Sequence, residues 1–491
     1  MLKSTRTNVL IIHADQHRTD CIGAYGNRDV CTPNIDRIAK DGVLYKNCFS
    51  TYPVCTPSRY SLLTGLYVHQ HMGWSNCSTL PEAIEKLPEI LKRAGYRTKA
   101  IGKMHFTPTY LDVGFEEMEL AEQHGPGRYD DDYHRYLMNN DKVDETDLQD
   151  QVKEYRERAP REYFESFGAV KSNLEDNYYS TTWIGNKAQE EIENWGDGGN
   201  LLMVGFIKPH HPFDPPPPWC SMYNPKELDL LPGWTEEAFL YDIEKRRKAF
   251  FDSEKLTEDS YRKILAYYYG SISQIDYQVG NMIEILKEKG LYDKTLIIYT
   301  SDHGDYMGYH HMVGKQKYMY DPVIRVPLII KYPDQEDCGK ISEELFSIID
   351  IAPTILSQTG CTPGIHMKGL DIGTGKGREV VFAENDQGRE YMVRSSTRKL
   401  LLCKERNKSL FFDMEKDPLE MNNLFNCPHY REEIEEYISI LNNWILFQSL
   451  TPLYLDESAR IIDKENVLPQ DGGHRQRVME YFKNKMQKED L

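Results

Sequence analysis

The sequence predicts an α/β protein with a largely parallel central sheet that is sandwiched by helices. Short, continuously apolar runs recur along the chain, as in strands that are buried on both faces of a sheet. Helical patterns lie between these runs, and strands that alternate with helices form mainly parallel sheets. With 491 residues, the chain also exceeds the ~250–300 residues that a single core normally serves. A smaller second domain is therefore expected.

Five apolar runs are predicted as buried strands and three longer segments as helices. The strands are 8–14, 201–207, 295–301, 326–332 and 379–385. The helices are 87–96, 181–195 and 261–290. A shorter helix is predicted to run through residues 58–65, with Pro57 in its first turn and Gly65 at its end.

Composition divides the chain into three parts. Residues 1–370 form the predicted large α/β domain, in which the polar, Tyr-rich range 110–180 is interpreted as an insertion over the sheet. Residues 371–450 are predicted to form a smaller α+β subdomain, with an antiparallel sheet and a helix near 431–447. Residues 451–491 are a polar C-terminal extension.

The net charge argues against several classes of partner, and the cysteine pattern indicates the cellular location. A net charge of −18 argues against a nucleic-acid or anionic-membrane partner, since either needs a basic face. The sequence has no apolar span long enough to cross a membrane. The first apolar run ends at Asp15 without a small-residue cleavage site, so it is interpreted as a core strand. Ten scattered cysteines predict reduced thiols and a cytoplasmic location. The oligomeric state stays open.

Polar side chains follow three of the predicted strands, at the edge where ligands bind in parallel sheets. They are Asp15 and Gln16 after the first strand, Lys208, His210 and His211 after the second, and Asp302 and His303 after the third. Two carboxylates, an amide oxygen and an imidazole make a credible site for a divalent cation. Oxygen donors suit Ca²⁺ or Mg²⁺, whereas the imidazole favours Mn²⁺ or another transition metal.

Cys55 stands at the start of the short predicted helix, in the stretch CTPSRYSLLTG. A helix N-terminus attracts anions, and the planar guanidinium of Arg59 suits an oxyanion. One interpretation is a nucleophile at the floor of an anion pocket. The other is a buried structural cysteine, which is the usual role of a lone cysteine. Spacing alone leaves both open.

The same stretch resembles the C-x-P-S-R signature of the type I sulfatases, within the alkaline phosphatase superfamily. Five further stretches, one before it and four after it, also resemble the family's motifs and come in the family's order. They are NVLIIHADQHRTDCIGAYGN, GYRTKAIGKMH, IKPHHPFDPP, TSDHGDYMGYHHMVGKQKYMYDPVIRVPLII and LFFDMEKDPLEMNNL. The resemblance implies an alkaline phosphatase-like sheet and a sulfuric ester hydrolase that acts on a small aryl, alkyl or carbohydrate sulfate ester.

It also implies that a formylglycine-generating enzyme oxidises Cys55, reading Pro57 and Arg59 as part of its recognition sequence. The aldehyde hydrates to a diol. One hydroxyl then attacks sulfur and the other releases sulfate, which is covalent catalysis with a built-in release step. An unmodified serine or cysteine lacks the second hydroxyl.

The remaining roles are carried over residue by residue. The resemblance implies one divalent metal ion, with Ca²⁺ as the first choice and Mn²⁺ or Mg²⁺ as alternatives. Its implied ligands are Asp15, Gln16, Cys55, Asp302 and His303. Arg59 is implied to orient the formylglycine, Lys103 to hold a sulfate oxygen, and His105 to assist removal of the diol proton. His210 is implied to contact the sulfate and Lys315 to bind it, with one of this group as general acid. His211 and His310 are assigned to packing or outer support.

Gln16 departs from the second aspartate that many members carry at this position. The Gln form resembles a branch that includes phosphonate monoester and phosphodiester hydrolases, so these activities form the second hypothesis. A third hypothesis is a non-catalytic binding protein in which Cys55 stays unmodified.

Overall fold

The computed structural model describes residues 6–123, 125, 127–237, 239, 251–315, 318–335, 337–449 and 477–483. Within them lie a central sheet of eight strands and a separate sheet of four. The central strands are β1 Asn8–Asp15, β2 Val43–Phe49, β3 Arg97–Gly102, β4 Glu117–Leu120, β5 Asn200–Pro209, β6 Thr295–Thr300, β7 Arg325–Lys331 and β8 Lys340–Ser347. The smaller sheet contains β9 Val381–Asn385, β10 Glu390–Arg394, β11 Arg398–Cys403 and β12 Leu410–Asp413.

The central sheet has the strand order β4-β3-β5-β1-β6-β7-β2-β8. Among the described strands, β7 alone runs against its neighbours, pairing antiparallel with both β6 and β2. The other central pairs are parallel. The smaller sheet, β12-β11-β10-β9, is antiparallel throughout. The predicted fold class is therefore confirmed.

Helices cover both faces of the central sheet. The described α-helices are α1 Pro33–Lys40, α2 Cys55–Thr64, α3 Val68–His71, α4 Leu87–Arg93, α5 Asp132–Asn139, α6 Glu145–Gln151, α7 Lys153–Arg156, α8 Arg161–Glu165, α9 Ser180–Glu193, α10 Glu258–Glu288, α11 Asp321–Ile324, α12 Ile351–Gln358 and α13 Arg431–Asn443. None of the described helices is both long and apolar enough to span a membrane.

Alternate residues of β1 contribute to two different cores, which explains its continuous apolar sequence. Val9 and Ile11 face a core that includes residues of α2, α4 and α12. Leu10 and Ile12 face the opposite core, with residues of α1, α9 and α10. Because both faces exclude water, strand alternation between polar and apolar residues is absent.

Four of the five predicted strands, 8–14, 201–207, 295–301 and 326–332, are confirmed as β1, β5, β6 and β7. The fifth, 379–385, is also a strand, and it lies in the smaller antiparallel sheet that is predicted within residues 371–450. It forms β9 at the edge of the smaller sheet. Its apolar side chains are buried there against the other strands of that sheet and against α13, so burial on two faces arises without a parallel sheet.

The range 110–180 contains the edge strand β4 and then four short helices, α5 to α8. The helix predicted near 431–447 is confirmed as α13, continued by a π-helical turn over Trp444–Gln448. Most of the predicted C-terminal extension 451–491 lies outside the described residues. Its described part, 477–483, is helical and packs Val478 and Phe482 against Tyr129, Val143 and Leu148. The proposed domain boundaries stay a prediction.

Candidate active site

The carboxyl ends of four adjacent strands carry the candidate residues. Strands β3, β5, β1 and β6 lie side by side in the sheet. Asp15 is the last residue of β1, Lys103 directly follows β3, and His210 directly follows β5. Asp302 and His303 come just after β6. The expectation that these strand ends converge at one edge is therefore met in space.

Helix α2 brings Cys55 to the same edge. It starts at Cys55 and ends at Thr64, followed by Gly65 with φ 63°, a left-handed conformation that glycine adopts at low cost. The helix thus begins three residues before the predicted 58–65 segment. Ser58 Oγ donates to the carbonyl of Asp302 at 2.8 Å, which ties the first turn of α2 to the residue after β6.

Four buried side chains form a compact set of potential metal ligands. Their donor atoms, one each from Asp15, Cys55, Asp302 and His303, all lie within 4.8 Å of one another. The Cys55 thiol sulfur is 3.3 Å from His303 Nε2 and 3.7 Å from Asp15 Oδ1. His303 Nδ1 lies 2.9 Å from the carbonyl of Gly304. Nδ1–H donates a hydrogen bond to that carbonyl, so the lone pair of Nε2 points to the set, as in metal-bound histidines.

Gln16 lies next to this set and contacts Asp302. It has φ 63°, an uncommon conformation for a residue other than glycine, and its backbone N–H donates to Asp302 Oδ1 at 3.1 Å. Its side-chain Nε2 donates to Asp305 Oδ2. The remaining atom, Oε1, is buried and has no hydrogen-bond partner among the residues that the structure describes. A buried orphan oxygen beside two carboxylates fits a hard divalent cation.

Arg59 supports this set and does not present its cation to the cleft. Its Nε donates to Asp302 Oδ2 at 2.9 Å, and its two terminal nitrogens donate to Asp15 Oδ2 at 3.0 Å and to the carbonyl of Lys103 at 2.6 Å. The side chain is completely buried. The expectation from the helix start, that Arg59 meets an oxyanion directly, therefore differs from its position, because two carboxylates already occupy the guanidinium.

Two lysines and a histidine lie around Cys55. Lys103 Nζ is 2.8 Å from Asp15 Oδ2. Lys315 Nζ is 2.9 Å from the Cys55 sulfur and 2.9 Å from His210 Nε2. His210 Nδ1 lies 2.6 Å from the carbonyl of His211 and so carries the proton. The lone pair of His210 Nε2 therefore accepts a hydrogen bond from the Lys315 ammonium.

The electrostatics of the site follow from burial and these contacts. Burial and the charge of Asp15 raise the pKa of the Cys55 thiol to about 11. Burial opposes ionisation of Asp15, but Lys103, His210 and Arg59 outweigh it and hold its pKa well below the usual value. Burial and the Lys315 charge depress the pKa of His210. Asp15 is thus ionised at pH 7.

His105 lies at the margin of the cluster. Its backbone carbonyl accepts from Thr56 Oγ1 at 2.8 Å, which sets it beside the first turn of α2. His211 pairs through Nδ1 with Asp150 at 2.9 Å, and the ring of His310 stacks on Tyr309. Both histidines thus make the supporting contacts expected of them.

Two supporting residues escape the sequence analysis. Asp305 holds the Gln16 amide, and Glu122 accepts the backbone N–H groups of Met104 and His105. The repeated acid in SDHGD is the signal that marks Asp305. Glu122 stands in a range without a motif.

A cleft of about 370 Å³ opens beside the cluster. Its lining includes Val54, which precedes Cys55, and Lys315, which contacts the sulfur. Trp74 and Asn76 form one side, and the β9–β10 turn at 385–387 forms another. The smaller sheet therefore contributes a wall beside the candidate nucleophile.

Fold and site together define an α/β scaffold with a buried set of potential cation ligands that includes Cys55, and with two lysines beside it. A family model described as "Sulfatase" matches residues 7–361. A second, described as "N-sulphoglucosamine sulphohydrolase, C-terminal", matches residues 308–444. The chain belongs to the sulfatase family, as the motifs predict, and is a sulfuric ester hydrolase.

Similar proteins span nearly the whole chain. An arylsulfatase of Clostridium perfringens is 28% identical over 471 residues, which cover 89% of this chain and 94% of the relative. An N-acetylglucosamine-6-O-sulfatase of Bacteroides thetaiotaomicron is 26% identical, with 89% and 86% covered. The crystal structure of a phosphonate monoester hydrolase of Agrobacterium radiobacter is also similar, with a TM-score of 0.75 and 25% sequence identity. The match covers 93% of this chain and 100% of the hydrolase chain.

Proposed function

We propose that the chain hydrolyses a sulfate ester of a small molecule or short carbohydrate, with residue 55, oxidised to formylglycine, as the nucleophile. The observation that carries the proposal is the position of Cys55. Its sulfur is 2.9 Å from Lys315 Nζ and 3.3 Å from His303 Nε2, inside a buried set of cation ligands. The potential cation ligands that would activate a nucleophile and the lysine that would bind a sulfate group therefore meet at residue 55.

The unmodified thiol suits this reaction poorly. A covalent intermediate on its sulfur would have no second hydroxyl through which to release sulfate. The hydrated aldehyde of formylglycine would instead supply a hydroxyl for attack and a second hydroxyl for release. A divalent cation held by Asp15, Gln16, Asp302 and His303 would lower the pKa of the attacking hydroxyl and polarise the ester. Its identity, Ca²⁺, Mn²⁺ or Mg²⁺, belongs to this proposal.

The chain's own cations bind and orient the ester. Lys103 and Lys315 approach the nucleophile from the Asp15 and His210 sides. Both are assigned to the sulfate oxygens, where charge-assisted hydrogen bonds are strongest. His210 holds Lys315 through Nε2, and burial keeps its imidazole neutral. Asp15 and Asp302 favour the charged form of Lys315 against its burial, so Lys315 is the better candidate for protonating the leaving oxygen.

The cleft is assigned to the leaving group. Trp74 offers an aromatic face, while Asn76 and the turn 385–387 offer amide and carboxylate groups for hydroxyls. An apolar face with polar groups beside it matches a single sugar ring better than a long polyanion, which the net charge of −18 also disfavours. The names of the relatives, an arylsulfatase and a sugar sulfatase, agree with a small or carbohydrate ester.

Phosphonate monoester or phosphodiester hydrolysis is the second candidate. The neutral Gln16 in the cation set favours it, as does the likeness to a phosphonate monoester hydrolase at 25% identity. Sulfate monoesters, phosphonate monoesters and phosphodiesters all carry one negative charge, so the two lysines accept any of them.

The test compares kcat/KM for the sulfate, the methylphosphonate monoester and the phosphodiester of one phenol, followed by sugar sulfates. The proposal predicts that the sulfate ester is the best substrate of the three. A higher kcat/KM for the phosphonate or the phosphodiester would instead favour the second candidate function. Trp74→Ala should raise KM for the sugar sulfate about 5-fold while changing KM for the phenyl ester less, since one ring contact is worth ~1 kcal/mol.

A reducing compartment such as the cytoplasm remains the proposed location. All ten cysteines are described, and none of them forms a disulfide. Proteins in oxidising compartments usually pair theirs.

A further inference from the structure

Glu122 contacts the turn that carries two of the candidate catalytic residues. It lies two residues after β4 and is 1% exposed. Its Oε1 accepts the backbone N–H of Met104 at 2.9 Å and that of His105 at 2.8 Å. Nothing in the sequence marks this glutamate, and it has no place in the proposed chemistry.

The turn 103–105 needs external support. His105 has φ 56°, in the left-handed region that residues other than glycine rarely adopt. Such conformations persist only where the surroundings fix them. The backbone of Lys103 donates to the carbonyl of Gly205 at 2.7 Å, and its carbonyl accepts from Arg59. The Glu122 carboxylate supplies the contacts on the N–H side of the next two residues.

We propose that Glu122 is a positioning residue, whose carboxylate fixes the backbone of Met104 and His105 so that Lys103 and His105 face the ester. This inference rests on the proposed function, because it assigns those two side chains to the ester. Glu122 itself does not touch the reacting atoms. It acts on the reaction only through the turn that it holds.

To hold the backbone N–H groups of Met104 and His105, Glu122 needs an acceptor oxygen but not a negative charge. Burial raises the pKa of Glu122 to about 8, even though both backbone N–H groups and Lys103 favour the charged form. The carbonyl oxygen of a protonated carboxyl accepts the same two N–H groups as the carboxylate. Glutamine offers the same oxygen at the same distance, so it should replace Glu122 with little loss.

A frame behind Glu122 keeps its own backbone in place. Its N–H donates to Asp131 Oδ2 at 2.8 Å. Asp131 caps α5 by accepting the N–H of His134 at 2.7 Å, and the His134 ring lies 6.1 Å from Phe482. The range 110–180 and the helix at 477–483 therefore support Glu122 and, through it, the turn 103–105.

The experiment uses the full-length protein with Glu122→Gln, Glu122→Asp and Glu122→Leu. Each is produced with a formylglycine-generating enzyme and normalised to the modified fraction. Hydrogen exchange of the peptide that contains Met104 and His105 reports the turn directly, and kcat/KM for a phenyl sulfate reports the chemistry. Glu122→Leu should lose exchange protection and about 100-fold in kcat/KM, the effect of a small misplacement of reacting groups. Glu122→Gln should stay within about 3-fold of the parent.

Asp276→Leu is the matched control. Asp276 is also a buried carboxylate that accepts two successive backbone N–H groups, those of Asn34 at 3.0 Å and Ile35 at 2.8 Å. It supports α1 on the opposite face of the sheet from α2. The control should lower the melting temperature without changing kcat/KM of the folded enzyme.

Two results would overturn the inference. One is unchanged kcat/KM and exchange in a folded Glu122→Leu variant. If that variant does not fold, Glu122→Asp decides, because its shorter side chain cannot reach both N–H groups and should cost at least 10-fold. The other is a Glu122→Gln variant as poor as Glu122→Leu, which would assign the effect to charge. If the parent hydrolyses no ester at all, the proposed function fails, whereas the exchange data still test the positioning.

Discussion

At the scale of single residues, Arg59 shows how the site uses its charges. Its guanidinium bridges Asp15, Asp302 and the backbone of Lys103 and is completely buried. Few other side chains can donate in three directions from one plane. Arg59 therefore positions the two carboxylates that the cation site requires.

Arg59→Lys should reduce both cation affinity and kcat/KM by about 10- to 100-fold, because loss of an outer-shell partner typically costs this much. Metal content after dialysis and steady-state kinetics measure the two effects. Arg378→Lys is the control, since it alters a buried pair with Asp350 that contacts none of the cluster residues. Full metal content and activity in Arg59→Lys would contradict this role.

Cys55→Ala should abolish turnover and leave the fold intact. The thiol is small and fully buried at the first residue of α2, and alanine fits the space that it leaves. Turnover above background, measured with the most active ester, would remove residue 55 from the role of nucleophile. A thermal melt close to that of the parent confirms that the variant is folded.

At the scale of elements, the smaller sheet is tied to the segment that carries Lys315. That segment runs from the end of β6 to α11. In the smaller sheet, the buried Lys399 pairs with Asp321 at 2.8 Å and with Glu420 at 2.7 Å. Glu420 also accepts from the Asp321 N–H at 2.8 Å and from the Tyr309 hydroxyl at 3.2 Å. The ion cluster thus anchors both sides of Lys315.

Lys399→Met should lower the free energy of unfolding by about 3–5 kcal/mol, because it leaves two buried carboxylates without their shared cation. Urea unfolding measures this change. Arg406→Met in the same subdomain removes an exposed pair with Glu435 and should leave the midpoint unchanged. A Lys399→Met midpoint equal to that of the parent would show that the cluster contributes nothing to the attachment.

The same scale shows what the sequence can predict. Strands β1, β5 and β6 are apolar throughout because both faces are buried, and the residues after them reveal the site edge. Strand β8 escapes prediction because its first half is exposed and charged. The pairing of β9 with β10 escapes prediction because an apolar run records burial but not its partner strand. Glu122 escapes because its role depends on contacts with residues 104 and 105, which no local pattern reveals.

At the scale of the whole molecule, four parts converge on one point. The central sheet supplies the cation ligands, α2 supplies Cys55, the smaller sheet supplies a wall of the cleft, and the range 110–180 supplies Glu122. A ligand that binds only this assembled state stabilises the entire fold.

Removal of the metal ion should therefore lower the melting temperature as well as the activity. With free metal at 100 times its Kd, the bound ion contributes about 2.7 kcal/mol. Scanning calorimetry with and without a chelator measures the shift, and re-addition of Ca²⁺, Mn²⁺ or Mg²⁺ in turn identifies the ion that restores it. An identical melt in chelator, with full activity, would contradict a cation at Asp15 and Asp302.

The central claim is that residue 55 is a formylglycine, and peptide mass spectrometry tests it most directly. Trypsin releases residues 47–59 from protein made in its native host, and fragmentation distinguishes Cys55 from Cys48 in that peptide. The account predicts that residue 55 has lost one sulfur and two hydrogens and gained one oxygen. An intact cysteine at this position in active enzyme would contradict it and would leave the thiol, or a binding role without hydrolysis, to be explained.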